Sequence, residues 1–160
     1  EDSSRRFSVT KDVLPKGVPT EVLDRLCGEL MMTPVKTLPA ASTFEQALRV
    51  FSAQPVSCLP LVDEQGKLRG VATRTDIYRA LHRDVALDVP VSKLCSTNVL
   101  TVAAGDPVRA AVEILRRRGI KHVPVLGADG GIAGMISFRD VLRHSVLARD
   151  AAKPELVGSK

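Results

Sequence analysis

Apolar residues recur along this chain at helical spacing, then in short unbroken runs, and the whole arrangement occurs twice. Phe44, Ala47, Leu48 and Phe51 fall at i, i+3, i+4 and i+7, one face of a helix. Ser42, with Glu45 three residues later, has the spacing of a capping box that opens it, and Pro55 ends it. Val108, Ala111, Val112 and Leu115 draw the same stripe again, with Asp106 as cap, Pro107 in the first helical position and Gly119 as stop. After each helix comes an apolar run (58–62 and 123–126), a glycine-containing turn (63–66 and 127–130) and a second strand (67–73 and 131–137). That order predicts a hairpin. A further helix begins at Thr73 or Ser137, with Ile77, Leu81, Val141 and Leu142 expected on its inner side. A short strand over 35–38 precedes the first unit's helix, so each unit reads β-α-β-β-α.

The two units are copies. LPLVDEQGKLRGVATRTD (59–76) aligns without a gap with VPVLGADGGIAGMISFRD (123–140), pairing Pro60 with Pro124, Gly66 with Gly130, Gly70 with Gly134 and Asp76 with Asp140, each 64 apart. The same offset reaches back to Thr33/Thr97, Val35/Val99, Thr37/Thr101 and Ala47/Ala111. A repeat this long is one structural unit used twice. Each unit leaves a sheet face that it cannot bury alone. The expected fold is therefore α/β (α+β), two units packed sheet against sheet about a pseudo-twofold axis in one domain. The expected divisions are a flexible tail (1–19), the first repeat with a leading helix (20–82), a linker (83–93), the second repeat (94–148) and a C-terminal tail (149–160). Thr20 caps the leading helix, which carries Val22, Leu23 and Leu26.

Composition narrows the class. Of 160 residues 44% are hydrophobic, enough for a sizeable core, but aromatics are only 3%, so Val, Leu, Ile and Ala must build it. No apolar run approaches the roughly 20 residues of a membrane span, and no basic stretch leads into an apolar one as in a signal peptide. Cys27, Cys58 and Cys95 are odd in number with no C-x-x-C spacing, which fits a reducing cytoplasm. The net charge of +5 suits an anionic partner, but the near absence of aromatics argues against nucleic acid. Much of that charge is local, in Arg116, Arg117, Arg118, Lys121 and His122; the first three read as a solvated helix face. Arg5-Arg6-Phe7-Ser8 has the form of a basophilic kinase site, a four-residue match that occurs incidentally.

Val56-Ser57-Cys58-Leu59-Pro60-Leu61-Val62-Asp63 with Gly70-Val71-Ala72-Thr73-Arg74-Thr75-Asp76, and Ile120-Lys121-His122-Val123-Pro124-Val125 with Gly134-Met135-Ile136-Ser137-Phe138-Arg139-Asp140, resemble the CBS domain, named from cystathionine β-synthase. The tandem copy resembles a Bateman module over about residues 26–148. The resemblance implies a regulatory module without catalysis, and the cysteine usage places it in the cytoplasm. It implies binding of an adenosine-containing ligand (AMP, ADP, ATP, S-adenosylmethionine or NAD), association into flat homodimers, and signalling to a partner protein.

Thr73-x-x-Asp76 and Ser137-x-x-Asp140 carry two readings. In one they are capping boxes and nothing more. In the other, the helix N-terminus receives phosphate while the carboxylate accepts from both ribose hydroxyls. The resemblance assigns the second role to all four residues. It further implies that Ser137 and Asp140 share a cleft with Val35, Lys36 and Thr37, with Ser57 and Cys58 nearby, and that Thr73 and Asp76 share one with Val99 and Leu100. Lys121 and His122 are placed to meet phosphate between the clefts, with Arg74 and Arg139 as lesser candidates. Cys95-Ser96-Thr97-Asn98-Val99 lacks the Met-Thr pair of many family members, and the cleft holding Asp140 is expected to be the better of the two.

Catalysis finds no inventory. His82, His122 and His144 are not spaced with Cys or carboxylates as metal ligands, and neither G-x-S-x-G nor G-x-x-x-x-G-K occurs. The competing class is a ligand-free dimerisation or protein-interaction module.

Overall fold

The structure, a computed structural model, describes residues 14–152. The Arg5-Arg6-Phe7-Ser8 motif and most of both predicted tails lie outside that range. The elements run α1 (Thr20–Leu23), α2 (Cys27–Leu30), β1 (Leu38–Pro39), α3 (Phe44–Ala53), β2 (Cys58–Val62), β3 (Leu68–Thr73), α4 (Arg74–His82), a 3-10 turn (Val91–Lys93), β4 (Val102–Ala103), α5 (Val108–Arg118), β5 (His122–Leu126), β6 (Ile132–Ser137) and α6 (Phe138–Ala151). The β-α-β-β-α order is present twice, with sheets ordered β1-β2-β3 and β4-β5-β6. The class is α+β. No described helix is long and apolar enough to cross a membrane.

The described chain forms two compact units. One comprises Pro34–Leu100 and Asp129–Ile132; the other comprises 14–33, 101–128 and 133–152. In the first, β1 runs parallel to β2 (Leu38 opposite Leu61) and β2 antiparallel to β3 (Cys58 opposite Thr73). Gly66 sits in the hairpin turn at φ 79°, the left-handed region that suits glycine. Phe44, Ala47, Leu59, Leu61, Ala72 and Ile77 are buried beneath the sheet, and Val91 from the predicted linker joins them. The linker is thus part of this core.

In the second unit β4 pairs parallel with β5 (Val102 opposite Val125), and the core holds Val108, Ala111, Val112, Leu115, Val123 and Ile136. The segment that precedes the first repeat in sequence contributes here: Val22, Leu23, Cys27 and Leu30 are buried in this core, and Leu14 and Val18 pack against it. Its backbone is tied in as well, Cys27 N–H to Asp106 O at 2.8 Å, Gly28 N–H to Ala104 O at 2.9 Å and Val108 N–H to Arg25 O at 2.8 Å.

Several local expectations shift. The box at α3 is Thr43 with Gln46, each side chain accepting from the other's N–H, in place of Ser42 with Glu45. Ser42 is instead buried, its carbonyl held by Val91 N–H at 2.8 Å. Asp106 does not cap α5; Pro107 holds the cap position, and the Asp106 carboxylate accepts from Ala103 N–H at 2.8 Å. The first strand occupies 38–39 rather than 35–38, because only those residues meet β2. Pro19, not Thr20, caps α1, and Leu26 falls between two short helices, 45% exposed. Leu81 and Leu142 point outward at 48% and 64% exposure; Ala80 and Ser145 take the inner positions beside Ile77 and Val141.

Glycine matters most where a second chain segment lies on the last strand of each hairpin. Met32 and Met135 exchange backbone hydrogen bonds at 2.8 and 3.1 Å, and Val71 N–H donates to Ser96 O at 3.0 Å. A Cβ on Gly134 would lie 2.8 Å from Met32 O, and one on Gly70 2.8 Å from Ser96 O, so each strand can be approached only because these side chains are absent. Gly134→Ala is expected to lower unfolding free energy by about 1–3 kcal/mol. Gly105→Ala, where a Cβ meets nothing within 4 Å, should stay within about 0.5 kcal/mol. Urea titration of both variants checks this.

Candidate functional site

Each hairpin's last strand runs straight into a helix, and the junction residue caps it. Thr73 Oγ1 accepts from Asp76 N–H at 3.1 Å, while Asp76 Oδ2 accepts from Thr73 N–H at 3.0 Å. At the second mouth, Asp140 N–H reaches Ser137 Oγ at 3.4 Å. There Asp140 Oδ2 accepts both Ser137 N–H (2.9 Å) and the Ser137 hydroxyl (3.0 Å). Both capping boxes therefore exist, each worth about 1 kcal/mol to its helix. Only Oδ2 is committed to them. Oδ1 of each carboxylate lies outside the cap and meets an arginine one turn on, Arg79 at 3.4 Å and Arg143 at 3.3 Å. The carboxylates are largely covered, 16% and 10% exposed, whereas those arginines are 53% and 65% exposed.

The other candidates fall into place unit by unit. With Thr73 and Asp76 lie Val35, Lys36, Thr37, Ser57, Cys58, Val99, Leu100 and Arg74, all in the same compact unit. Cys58 sits directly opposite Thr73 in the ladder. Arg74 donates one guanidinium nitrogen to Val56 O at 2.7 Å. Lys36 and Ser57 are exposed, and Lys36 Nζ donates to Gln54 Oε1. Burial pushes the Cys58 thiol up to about 11, and burial followed by the nearby Asp76 charge pushes Cys95 to about 11. Both thiols stay neutral and add no charge beside Asp76.

The Asp140 mouth differs. Lys121 is exposed, Arg139 is exposed and His122 is half-buried on β5, the strand beside β6. Burial holds the His122 pKa below its usual value, opposed by the Asp140 carboxylate and reinforced by Lys121, which places the ring within electrostatic reach of that aspartate. One turn on, His144 Nδ1 lies 3.2 Å from an Arg25 guanidinium nitrogen. Because guanidinium only donates, His144 Nδ1 is the acceptor, as in a neutral ring. Burial and the charges of Arg25 and Arg143 hold His144 below its usual pKa as well.

Arg79 and Arg143 are the residues that reading the sequence missed. Their signal was there: Asp-x-x-Arg closes both copies at the common offset of 64. Among the described residues no cluster of three or more His, Cys, Asp and Glu side chains is placed to hold a metal ion.

Both depressed histidines bind protons less readily folded than unfolded. Their contribution to stability is complete above about 6.5 and is lost as pH falls from there towards the lower folded values. The double variant His122→Gln/His144→Gln should show a flatter fall of urea midpoint between about pH 7 and pH 5 than the unaltered chain.

The CBS domain model matches residues 27–83 and 91–147. Among solved structures, a CBS domain protein of Pyrobaculum aerophilum complexed with AMP is 29% identical, with a TM-score of 0.66 over 72% of this chain and 89% of that one. The CBS domain pair of protein MJ0100, in complex with 5'-methylthioadenosine and S-adenosylmethionine, is 25% identical, with a TM-score of 0.66 over 74% and 94%. Among curated relatives, the inosine-5'-monophosphate dehydrogenase of Aquifex aeolicus is 29% identical over 128 residues, 79% of this chain, and the chain spans only 25% of that enzyme's length. With the model matched at both copies of the β-α-β-β-α unit, the chain belongs to the CBS-domain family, as a tandem pair.

Proposed function

We propose that this CBS pair is a sensor: it binds an adenosine-containing small molecule at one or both helix mouths and relays occupancy to a partner protein, with no catalysis of its own. The observation that carries the reading is the divided carboxylate. Asp76 and Asp140 each cap their helix with one oxygen and leave the other outside the cap, met by an exposed arginine, at a helix N-terminus whose dipole favours phosphate. Ligands in the similar structures, AMP in one and an adenosine thioether with an adenosyl sulfonium in the other, support the class. Lys121, Arg139 and the half-buried His122 favour a phosphorylated ligand near Asp140; the neutral Cys58 and Cys95 around Asp76 favour an uncharged one.

Calorimetric titration and thermal shift with AMP, ADP, ATP, S-adenosylmethionine and NAD test this. A ligand at 100 times its Kd should stabilise the folded chain by about 2.7 kcal/mol, and Asp140→Ala should weaken its binding at least about tenfold. A melt unmoved by the whole panel sinks the sensor reading.

A second reading has its own support. Tyr78 and Leu81 on α4, and separately Leu142 and Leu147 on α6, are large apolar side chains left exposed, as on helices that associate without a ligand. Light scattering after gel filtration would give the dimer's mass under this reading whether or not a nucleotide is added, and the melt would not respond to ligand.

A further inference from the structure

Resting on the adenosine reading above, we propose that Arg143, and Arg79 at the same place in the first repeat, stands in for the sugar: it occupies the carboxylate oxygen a ribose takes, so binding exchanges an internal arginine for a diol.

A carboxylate oxygen has two acceptor positions. At Asp140, both positions of Oδ2 are filled, by the Ser137 N–H and the Ser137 hydroxyl. Oδ1 alone remains, and Arg143 already holds one of its two positions. A ribose 2',3'-diol brings two donors. With the Ser137 hydroxyl kept on Oδ2, Asp140 accepts both only when Arg143 withdraws. At Asp76 the count is looser. Oδ2 accepts Thr73 N–H alone, so one position remains there and another on Oδ1 beside Arg79, and a diol can straddle the two oxygens. Arg143 is therefore the stricter competitor, and Arg79 the weaker.

Withdrawal is easy. At 3.3 Å and with 65% of its side chain in solvent, Arg143 forms the kind of exposed ion pair that contributes little. Its released guanidinium meets water, or the phosphate of the ligand that displaced it. The pairing recurs at an offset of 64 although the residues between differ, Ile77-Tyr78 in one copy and Val141-Leu142 in the other.

The test is calorimetric titration of the whole chain with adenosine and with AMP, in the unaltered protein and in Asp76→Asn, Asp140→Asn, Arg79→Gln and Arg143→Gln. The asparagine variant that abolishes binding marks the occupied mouth. Glutamine at the arginine of that same helix should then bind adenosine about two- to fivefold tighter, the range an exposed ion pair supports. Raising NaCl from about 0.05 to 0.5 M should tighten adenosine binding to the unaltered chain by screening the competitor, and leave the glutamine variant unchanged. Adenosine carries no charge, so that salt response belongs to the arginine. Equal or weaker binding by a folded glutamine variant overturns the exchange while leaving the sensor reading intact. No binding of either probe to the unaltered chain or to the glutamine variants overturns the exchange, and the sensor reading falls with it only when ADP, ATP, S-adenosylmethionine and NAD also leave the melt unmoved. A circular dichroism melt establishes that each variant is folded.

Discussion

Two hydrogen atoms hold this architecture open: the ones that Gly70 and Gly134 carry in place of a side chain. A Cβ at either would sit 2.8 Å from a backbone oxygen of the segment lying across it. Through that gap the residues just before each repeat reach the last strand of the other, 31–33 on β6 and 95–96 on β3. Each compact unit is thus a repeat completed by chain from elsewhere. The segment so placed also runs beside the helix mouth, since β3 and β6 end at Thr73 and Ser137. Close backbone approach and candidate site are consequences of one steric allowance.

Within the mouths, a single side chain serves fold and chemistry together. A capping carboxylate is partly buried and held at one oxygen. Those conditions also make its other oxygen a strong acceptor for a donor arriving from outside. The two copies are not equivalent in this respect. Both hydroxyl oxygens accept from the aspartate N–H, but serine alone also donates its hydroxyl to the carboxylate, and the neighbours are Lys121 and Arg139 in one case and neutral thiols in the other. Duplication supplied the frame, and a few side-chain substitutions (Thr73/Ser137, Ser57/Lys121, Cys58/His122) gave the copies different characters.

What could be read from the chain alone follows the range of each interaction. Thr73 with Asp76 and Ser137 with Asp140 were legible because the whole motif spans four residues. The α3 cap was misread by one position because Ser42/Glu45 and Thr43/Gln46 satisfy the same spacing. The choice falls to residues 89–91, which bind Ser42 O and Phe44 N–H from more than 40 positions away. Helical period put Leu81 and Leu142 inside, yet small residues at 80 and 145 fill those places. Nothing local announces that the leader joins the second repeat's core, because that contact spans roughly a hundred residues. The arginines at 79 and 143 were readable in principle from the repeat, as residues kept while their neighbours changed.

That long reach bears on how the chain is made. During synthesis the first unit lacks only Asp129–Ile132 once residue 100 has emerged, whereas the second cannot close until β6 exists to receive residues 31–33. Until then Met31 and Met32 wait as an unpaired edge, the kind of surface that a chaperone or a neighbouring nascent chain finds first. Cutting between the repeats would accordingly leave neither half whole: the downstream piece would lack its leader, and the upstream piece would carry a leader with nowhere to dock.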